Sequence, residues 1–268
     1  MRPRVATATT DSQAGALLRQ WRERRRLSQL ELALNAGVST RHLSCVETGR
    51  AKPGRDMLLR VLAELDVPFR ERNQVLLAAG HAPALPERPL DHPDLEPVRG
   101  ALDAILARHE PYPAIAVDRA WNIVAANATV TAMTRWAGVD PALLEPPVNA
   151  VRISFDPRGL APLIVDLPVW RAFFRDRLER QLATTGDAEV AELLDELAEL
   201  GGDEPGGLEA RPVPGPLRVR GPAGGELSFI AMFATFDSPF EVTTSELAVE
   251  LLFPADPATA DALGQFTR

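Results

Sequence analysis

The chain has 268 residues and a formal net charge of −8, and its amino-acid composition is that of a globular protein of one or two domains. Its longest nearly uncharged stretch is shorter than the roughly 20 residues that span a bilayer, and no signal peptide is visible, so we expect a cytoplasmic protein without membrane contact. The single cysteine, Cys45, excludes an internal disulfide and a cysteine-based zinc site.

The net charge hides an asymmetry between the two ends of the chain. Residues 1–75 contain 14 basic and 8 acidic side chains, whereas the remainder contains 15 basic and 29 acidic ones. A basic segment attached to an acidic body favours contact with a polyanion such as nucleic acid. Charge alone fits a solvated basic helix equally well.

The N-terminal third predicts an all-α domain. Residues 1–10 lack periodicity and are predicted to be a flexible arm. The chain is predicted to become helical at Asp11, and amphipathic patterns predict further helices at 55–65 and 69–79. Residues 11–80 are therefore predicted to form one helical domain.

A helix-turn-helix motif lies inside this domain. Ser28 and Glu31 form a capping box for the first helix, Gly37 suits the tight turn, and Ser39 caps the second helix. Ala33 is the small residue that the close crossing of the two helices requires. An ordinary helical hairpin would not need this set of residues at these offsets, so the motif predicts binding to double-stranded DNA.

The rest of the chain predicts a second domain of a different class. The proline-rich segment 81–97 is predicted to be a stiff, extended linker without helix, and residues 98–268 to be an α+β domain. Short β-type runs, then helices, then more β-type runs predict an antiparallel sheet with helices on one side. Its predicted strands are 114–117, 121–125, 151–155, 217–220, 227–236 and 242–253; its predicted helices are 97–109, 126–136, 169–182 and 188–200; and 201–207 is predicted to be a loop.

Residues 11–80 resemble the Xre/Cro class of helix-turn-helix regulators, and the string GVSTRHLSCVETGRAKPGRDML followed by YPAIAVDRAWNIVAAN resembles the MmyB-like regulators. The resemblance continues through FATF and DSPFEVTTSELAVELLFPAD near the end of the chain. It implies a PAS-like C-terminal domain that takes fatty-acid-like ligands, and a buried structural ion pair between Arg22 and Glu47. The chain has Asp156-Pro157 where the family tends to have His-Pro, which puts in doubt a polar ligand contact at that position.

Recognition helices place their N-terminal residues in the major groove, which yields candidate DNA contacts. Arg41 is the candidate for reading guanine, with phosphate contact as the alternative, and Gln29 is expected to bond a phosphate and buttress the recognition helix. Cys45 is either a redox switch or simply a small, weakly polar residue. The full candidate set is Gln29, Ser39, Thr40, Arg41, Ser44, Cys45, Thr48, Arg50, Lys52 and Arg55.

The second domain carries no catalytic motif, metal-ligand spacing or phosphate-binding loop, so we expect neither an enzyme nor a metal or other cofactor. Its notable feature is its aromatic content, which indicates either core packing or an apolar pocket between sheet and helices. The candidate ligand-binding residues are Trp121, Asn127, Trp136, Phe155, Trp170, Phe174, Phe229 and Phe233.

Together these features predict a sequence-specific transcriptional regulator whose C-terminal domain senses a small apolar ligand, with a bound fatty acid as the candidate. It is expected to act as a homodimer on a palindromic operator. A repressor whose C-terminal domain only dimerises or docks a partner protein remains an alternative. An enzyme fused to a DNA-binding head is disfavoured by the missing catalytic groups.

Overall fold

The computed structural model of the chain describes residues 10–200, 215–236 and 241–264. Residues 1–9 of the predicted arm and the predicted loop at 201–207 lie outside these ranges. The chain divides into two units, of which the first comprises the described residues of Met1–Glu87 and Phe240–Val242, and the second those of Arg88–Pro239 and Thr243–Arg268.

The first unit is built from helices that enclose one apolar core. The helices are α1 (Thr10–Arg24), α2 (Gln29–Asn35), α3 (Thr40–Glu47), α4 (Arg55–Glu64) and α5 (Phe69–Ala78). Leu18, Leu32, Val46, Leu58 and Leu76 are fully buried in this core, one from each helix. The predicted all-α class of this region is confirmed.

Local signals in the sequence explain where α2 and α3 begin and end. The Ser28 hydroxyl accepts a hydrogen bond from the Glu31 backbone N–H, and the Glu31 carboxylate accepts one from the Ser28 N–H, which completes the capping box. Gly37 has a φ of +64° in the turn, where a side chain would be strained. The Ser39 hydroxyl caps α3. The helix-turn-helix geometry predicted from these residues is confirmed.

The second unit combines helices with a sheet. In chain order its helices and strands are α6 (Glu96–His109), β1 (Ala114–Val117), β2 (Ile123–Ala126), α7 (Ala128–Ala137), α8 (Ala150–Phe155), α9 (Leu167–Thr185), α10 (Ala188–Glu199), β3 (Leu217–Arg220), β4 (Glu226–Thr235), α11 (Val242–Ser245), β5 (Ala248–Pro254) and α12 (Pro257–Leu263). Within the described ranges, short 3-10 helices lie at Pro93–Leu95, Pro141–Leu144, Ala161–Leu163 and Pro222–Gly224.

The strands form one antiparallel sheet in the order β2-β1-β5-β4-β3. This confirms the predicted α+β class with an antiparallel sheet. Because alternate residues of a strand point to opposite faces, β1 and β5 each contribute to two separate cores. Ala114 and Ala116 pack with Leu102 and Leu106 of α6.

The opposite face of the sheet packs against helices as well. Val117 of β1 belongs to a cluster with Phe155 of α8, Trp170 of α9 and Leu193 of α10. The prediction that helices cover only one side of the sheet is therefore wrong. The strand pattern alone does not reveal this, because the short alanine side chains of β1 under α6 resemble a weakly apolar, solvent-facing row.

Residues 151–155 were predicted to form a strand, and this prediction is wrong. They lie in α8, where the Asn149 side chain caps the helix by accepting hydrogen bonds from the backbone N–H groups of Val151 and Arg152. Val151, Ile153 and Phe155 are all buried, so their alternation mimics the two-residue period of a strand. A short helix enclosed on several sides can bury alternate residues, and the periodicity misleads there.

Three further boundaries differ from expectation. Helix was excluded through the predicted linker 81–97, yet Pro93–Leu95 and the start of α6 are helical, because proline is tolerated in a first helical turn. The strand predicted at 242–253 is divided into α11 and β5, with the backbone N–H of Leu247 bonded to the carbonyl of Thr244 in the turn between them. Helix α12, capped by the Asp256 carboxylate, was not predicted.

Candidate functional sites

The exposed start of α3 carries the strongest candidates for DNA contact. Arg41 is exposed and makes no hydrogen bond to any residue in the described ranges, so its guanidinium is available to an external partner. Ser39 is also exposed, although its hydroxyl is occupied by the His42 backbone N–H. Thr40 and Ser44 are half-buried. His42, next to Arg41, is exposed as well and was not singled out from the sequence.

Behind this surface lies a buried ionic network. Arg22 donates from Nε to Glu47 Oε1 over 2.7 Å and from Nη2 to Glu47 Oε2 over 2.9 Å, which confirms the ion pair that the family resemblance implied. Gln29 Nε2 donates to the same Glu47 Oε2 over 2.8 Å. Gln29 thus braces α2 against α3 through its side chain, and its contact with a phosphate stays a prediction.

The residues that follow α3 differ in how free their side chains are. The Thr48 hydroxyl donates to the Ser44 carbonyl over 2.7 Å and accepts from Arg50 Nε over 3.0 Å, so the exposed Arg50 is held close to the end of α3. Lys52 is exposed. Arg55 instead bonds the backbone carbonyls of residues 82 and 83. Among these predicted phosphate contacts, Arg50 and Arg55 both have guanidinium partners in the described ranges: Arg50 bonds a neighbouring side chain, and Arg55 bonds the backbone.

Cys45 is half-buried on α3, and its thiol pairs with no other cysteine. Its backbone carbonyl accepts hydrogen bonds from the Arg50 and Ala51 backbone N–H groups over 2.7 and 3.1 Å, which closes the helix C-terminus. The backbone of Cys45 therefore has a structural role in ending α3. A redox role stays a prediction without a structural feature that favours it.

The second unit encloses a cavity of about 160 Å³ between the sheet and helices α7, α8 and α9. Its walls are almost entirely apolar. Six of the eight candidate ligand residues line it, namely Trp121, Trp136, Phe155, Trp170, Phe174 and Phe229. Phe174 meets the rings of Trp121 and Phe155 edge to face, with centroid distances of 5.4 and 5.2 Å, and these contacts fix the shape of this part of the wall.

The other two candidates, Asn127 and Phe233, are not among the lining residues. Asn127 is buried at the start of α7, where its Oδ1 caps the helix and its Nδ2 donates to the Tyr112 carbonyl over 2.7 Å. Its side-chain oxygen and nitrogen are therefore already hydrogen-bonded to backbone groups. The ring centroid of Phe233 lies 5.8 Å from that of Trp121, which does line the cavity. Both residues position the site in the structure, and a contact with ligand stays a prediction for each.

Among the described lining residues of this apolar cavity, Glu250 of β5 is the one that carries a charge. It retains some accessible surface, and no hydrogen-bond donor within the described residues reaches its carboxylate. Burial raises the pKa of Glu250 to about 7, and the positive charge of Arg177 opposes this only in part. The Arg177 guanidinium stacks 3.8 Å from the Phe233 ring centroid and 4.9 Å from that of Trp121, and burial lowers its pKa.

Sequence reasoning missed Glu250 and the aliphatic part of the wall. The aliphatic lining includes Ile115, Ile153, Ile164 and Leu252. The strand pattern contained the signal for Glu250, because two-residue alternation in β5 puts it on the face of Leu252 rather than outside. Asp156, the departure from the family pattern, pairs with Arg158 over 2.9 Å and is not a lining residue.

Two features are absent from the residues that the structure describes. No group of three or more His, Cys, Asp or Glu side chains is arranged to hold a metal ion. None of the helices in these ranges is both long and apolar enough to cross a membrane.

Comparison with known proteins yields two matches to family models. A helix-turn-helix model matches residues 18–72. A model described as the MmyB-like transcription regulator ligand binding domain matches residues 98–265, which is more than half of the chain. No curated protein matches.

Several solved structures are similar to parts of the chain. The restriction-modification controller protein C.AhdI from Aeromonas hydrophila is 29% identical over 23% of this chain and 94% of its own, with a TM-score of 0.22. The clp gene regulator ClgR from Corynebacterium glutamicum is 24% identical over 38% of this chain and 95% of its own, with a TM-score of 0.24. An RNA-binding light-oxygen-voltage receptor is 14% identical over 98% of this chain and 64% of its own, with a TM-score of 0.28.

Proposed function

The chain belongs to the MmyB-like transcription regulators, with a helix-turn-helix region ahead of a ligand-binding domain, and on that premise we propose that a small apolar, fatty-acid-like molecule enters the cavity of the second unit and changes DNA binding by the first. The observation that carries this proposal is the cavity itself, because its walls are aromatic and aliphatic and enclose unfilled space. Protein interiors are otherwise close-packed.

The size of the cavity limits the ligand. A volume of about 160 Å³ is close to that of an engineered cavity that accepts benzene. It accommodates a short acyl segment, and the remainder of a long chain would extend out of the open side of the cavity. Each buried methylene contributes about 0.8 kcal/mol, so affinity rises with chain length until the cavity is full and then levels off.

The DNA-binding part of the proposal rests on the exposed end of α3. Arg41 is free to read a base edge, and Arg50 and Lys52 are exposed for phosphate contact. We propose a homodimer on a palindromic operator, with half-sites about one helical turn apart. A footprint over one asymmetric half-site, with one chain bound, would exclude this arrangement.

Ligand and DNA affinities are then linked. A ligand shifts DNA affinity only by the difference between its affinities for the DNA-bound and free states of the protein, and DNA shifts ligand affinity by the same factor. Two measurements can therefore be compared. Operator DNA should change the affinity for the ligand by the same factor by which the ligand changes the affinity for operator DNA.

The test is a titration of the full chain with straight-chain alcohols and carboxylic acids of increasing length, followed by tryptophan fluorescence and by DNA affinity. We expect binding that strengthens with length and then levels off. Ala231→Leu, which places a larger side chain on the cavity wall, abolishes binding, whereas Ala234→Leu on the exposed part of the same strand leaves it unchanged. A flat response to every compound would overturn the proposal.

A second candidate function is docking of a partner protein by the second unit. Ile230 and Met232 favour it, because they are 57% and 47% exposed on the face of β4 opposite the cavity. It predicts that Met232→Ser changes regulation without affecting small-molecule binding. The ligand proposal predicts instead that Met232→Ser leaves regulation unchanged and that cavity substitutions such as Ala231→Leu alter it.

A further inference from the structure

The polar side chains that line the cavity differ in whether their hydrogen-bonding capacity is used. The Ser154 hydroxyl donates to the Ala150 carbonyl over 2.8 Å, and the Thr134 hydroxyl donates to the Thr131 carbonyl over 3.1 Å. Both are turned back onto their own helices. Within the described lining, Glu250 offers the one carboxyl group, and no hydrogen-bond donor of the described residues reaches it.

The surroundings of Glu250 do not supply a substitute partner. It lies on β5 between Ile115 of β1 and Phe233 of β4, and the charged group that acts on it is Arg177 of α9. The Arg177 guanidinium covers the Phe233 and Trp121 rings and makes no ion pair with Glu250 at salt-bridge distance. An unsatisfied polar group in an apolar enclosure is costly, so a bound molecule that satisfies it gains affinity.

A second negative charge in the cavity would be unfavourable for the same reason. Two carboxylates that share a poorly solvated site cannot both ionise easily, because each disfavours the charged form of the other. The Glu250 carboxyl can donate a hydrogen bond when protonated and accept one when ionised. A hydroxyl group suits both states, since it can accept from the first and donate to the second.

We propose that Glu250 selects the ligand by charge: the cavity takes an uncharged apolar molecule with one hydrogen-bonding group, such as a hydroxyl or carbonyl, in preference to an ionised carboxylic acid. This inference rests on the proposed function and names the chemical class of its ligand. A fatty acid then binds in its neutral form, and its apparent affinity falls as the pH rises above the pKa of the acid. The affinity of an alcohol of the same length does not follow this dependence.

The test compares octanol with octanoate on the full chain by isothermal titration calorimetry at pH 8. We expect octanol to bind at least about tenfold more tightly than octanoate, because one unfavourable charge contact of about 1.4 kcal/mol corresponds to a factor of ten. Glu250→Gln keeps a hydrogen-bonding group of similar shape and removes the charge, so it narrows the difference by raising octanoate affinity. The matched control Glu226→Gln removes an exposed charge on β4 and leaves the ratio unchanged.

The outcomes separate this inference from the proposed function. Equal binding of octanol and octanoate by the wild-type protein overturns the role of Glu250 and leaves ligand sensing intact. Binding of neither compound overturns both. Octanoate itself takes up protons between pH 8 and pH 6, so its affinity rises for the wild type and for Glu250→Gln alike; a larger rise in the wild type assigns the excess to Glu250, and equal rises overturn its role.

Discussion

The two units of this chain use their interiors in opposite ways. The first unit fills its core with its own side chains and bonds its buried polar groups internally, as the Arg22, Glu47 and Gln29 network illustrates. Its candidate functional group, Arg41, is outside. The second unit leaves about 160 Å³ empty and turns a carboxyl group, Glu250, into that space.

This difference follows from what each unit has to recognise, a DNA surface in one case and a small molecule in the other. A helix that docks on DNA must present rigid side chains outward, so the interior behind it is packed and satisfied. A pocket for a small apolar molecule needs the reverse, an interior whose packing and hydrogen bonding are completed by the ligand. Perturbing the two interiors should therefore have different consequences, in stability for the first and in ligand binding for the second.

The largest expected effect comes from breaking the buried ion pair. Glu47→Ala leaves the Arg22 guanidinium buried without its partner and removes the acceptor of Gln29, so we expect a loss of about 3–5 kcal/mol in the unfolding free energy of the first unit. Glu23→Ala removes the exposed partner of Arg19 and should change stability little. Urea denaturation followed by circular dichroism measures both. Equal stability of the two variants would contradict the account of a satisfied, closed interior.

Close packing of α1 against α3 gives the next effect. A Cβ at Gly15 would lie 2.2 Å from the Val46 carbonyl oxygen, so Gly15→Ala must push the helices apart, at a cost of about 1–3 kcal/mol. A Cβ at Gly100, on the exposed side of α6, meets no atom within 4 Å. Gly100→Ala should therefore stabilise the second unit slightly, because alanine favours helix. Opposite signs of the two changes in melting temperature are the expected result.

The DNA-binding role of the exposed surface of the first unit is tested at Arg41. Arg41→Ala should cost about 1–3 kcal/mol on the cognate site and relax the sequence preference there. Arg50→Ala, a matched loss of one arginine, should weaken binding to all DNA sequences about equally and flatten the salt dependence. Binding selection with randomised duplexes distinguishes the two. An unchanged preferred sequence in Arg41→Ala would assign Arg41 to phosphate contact.

The smallest effect is a pH dependence of stability in the second unit. The pKa of Glu250 is raised to about 7 in the folded state, so the folded protein holds the proton more tightly than the unfolded chain does. Stability is then highest below the ordinary glutamate pKa and falls as the pH rises towards and through 7. Melting curves of wild type and Glu250→Gln should diverge by a few degrees over this range. Parallel curves would remove Glu250 as the titrating group.

Local signals in the sequence predicted the first unit well. Ser28, Glu31, Gly37 and Ser39 act on backbone groups within a few residues of themselves, so their pattern alone specifies where α2 and α3 begin and end. The same physics placed β1, β2 and the hairpin of β3 and β4 close to their observed bounds. It failed at residues 151–155, where burial from several sides made a helix look like a strand.

The sequence by itself determined a helix-turn-helix unit followed by an antiparallel α+β unit, because helix caps, turn glycines and strand alternation are local. Only the tertiary structure decided which aromatic residues border empty space, that helices cover both faces of the sheet, and that Glu250 faces the cavity without a partner. Those facts depend on segments far apart in the chain meeting in space. The volume of the cavity, the desolvation of the Glu250 carboxyl group and the distance from that group to Arg177 all depend on how several segments pack together. None of them can be read from one segment.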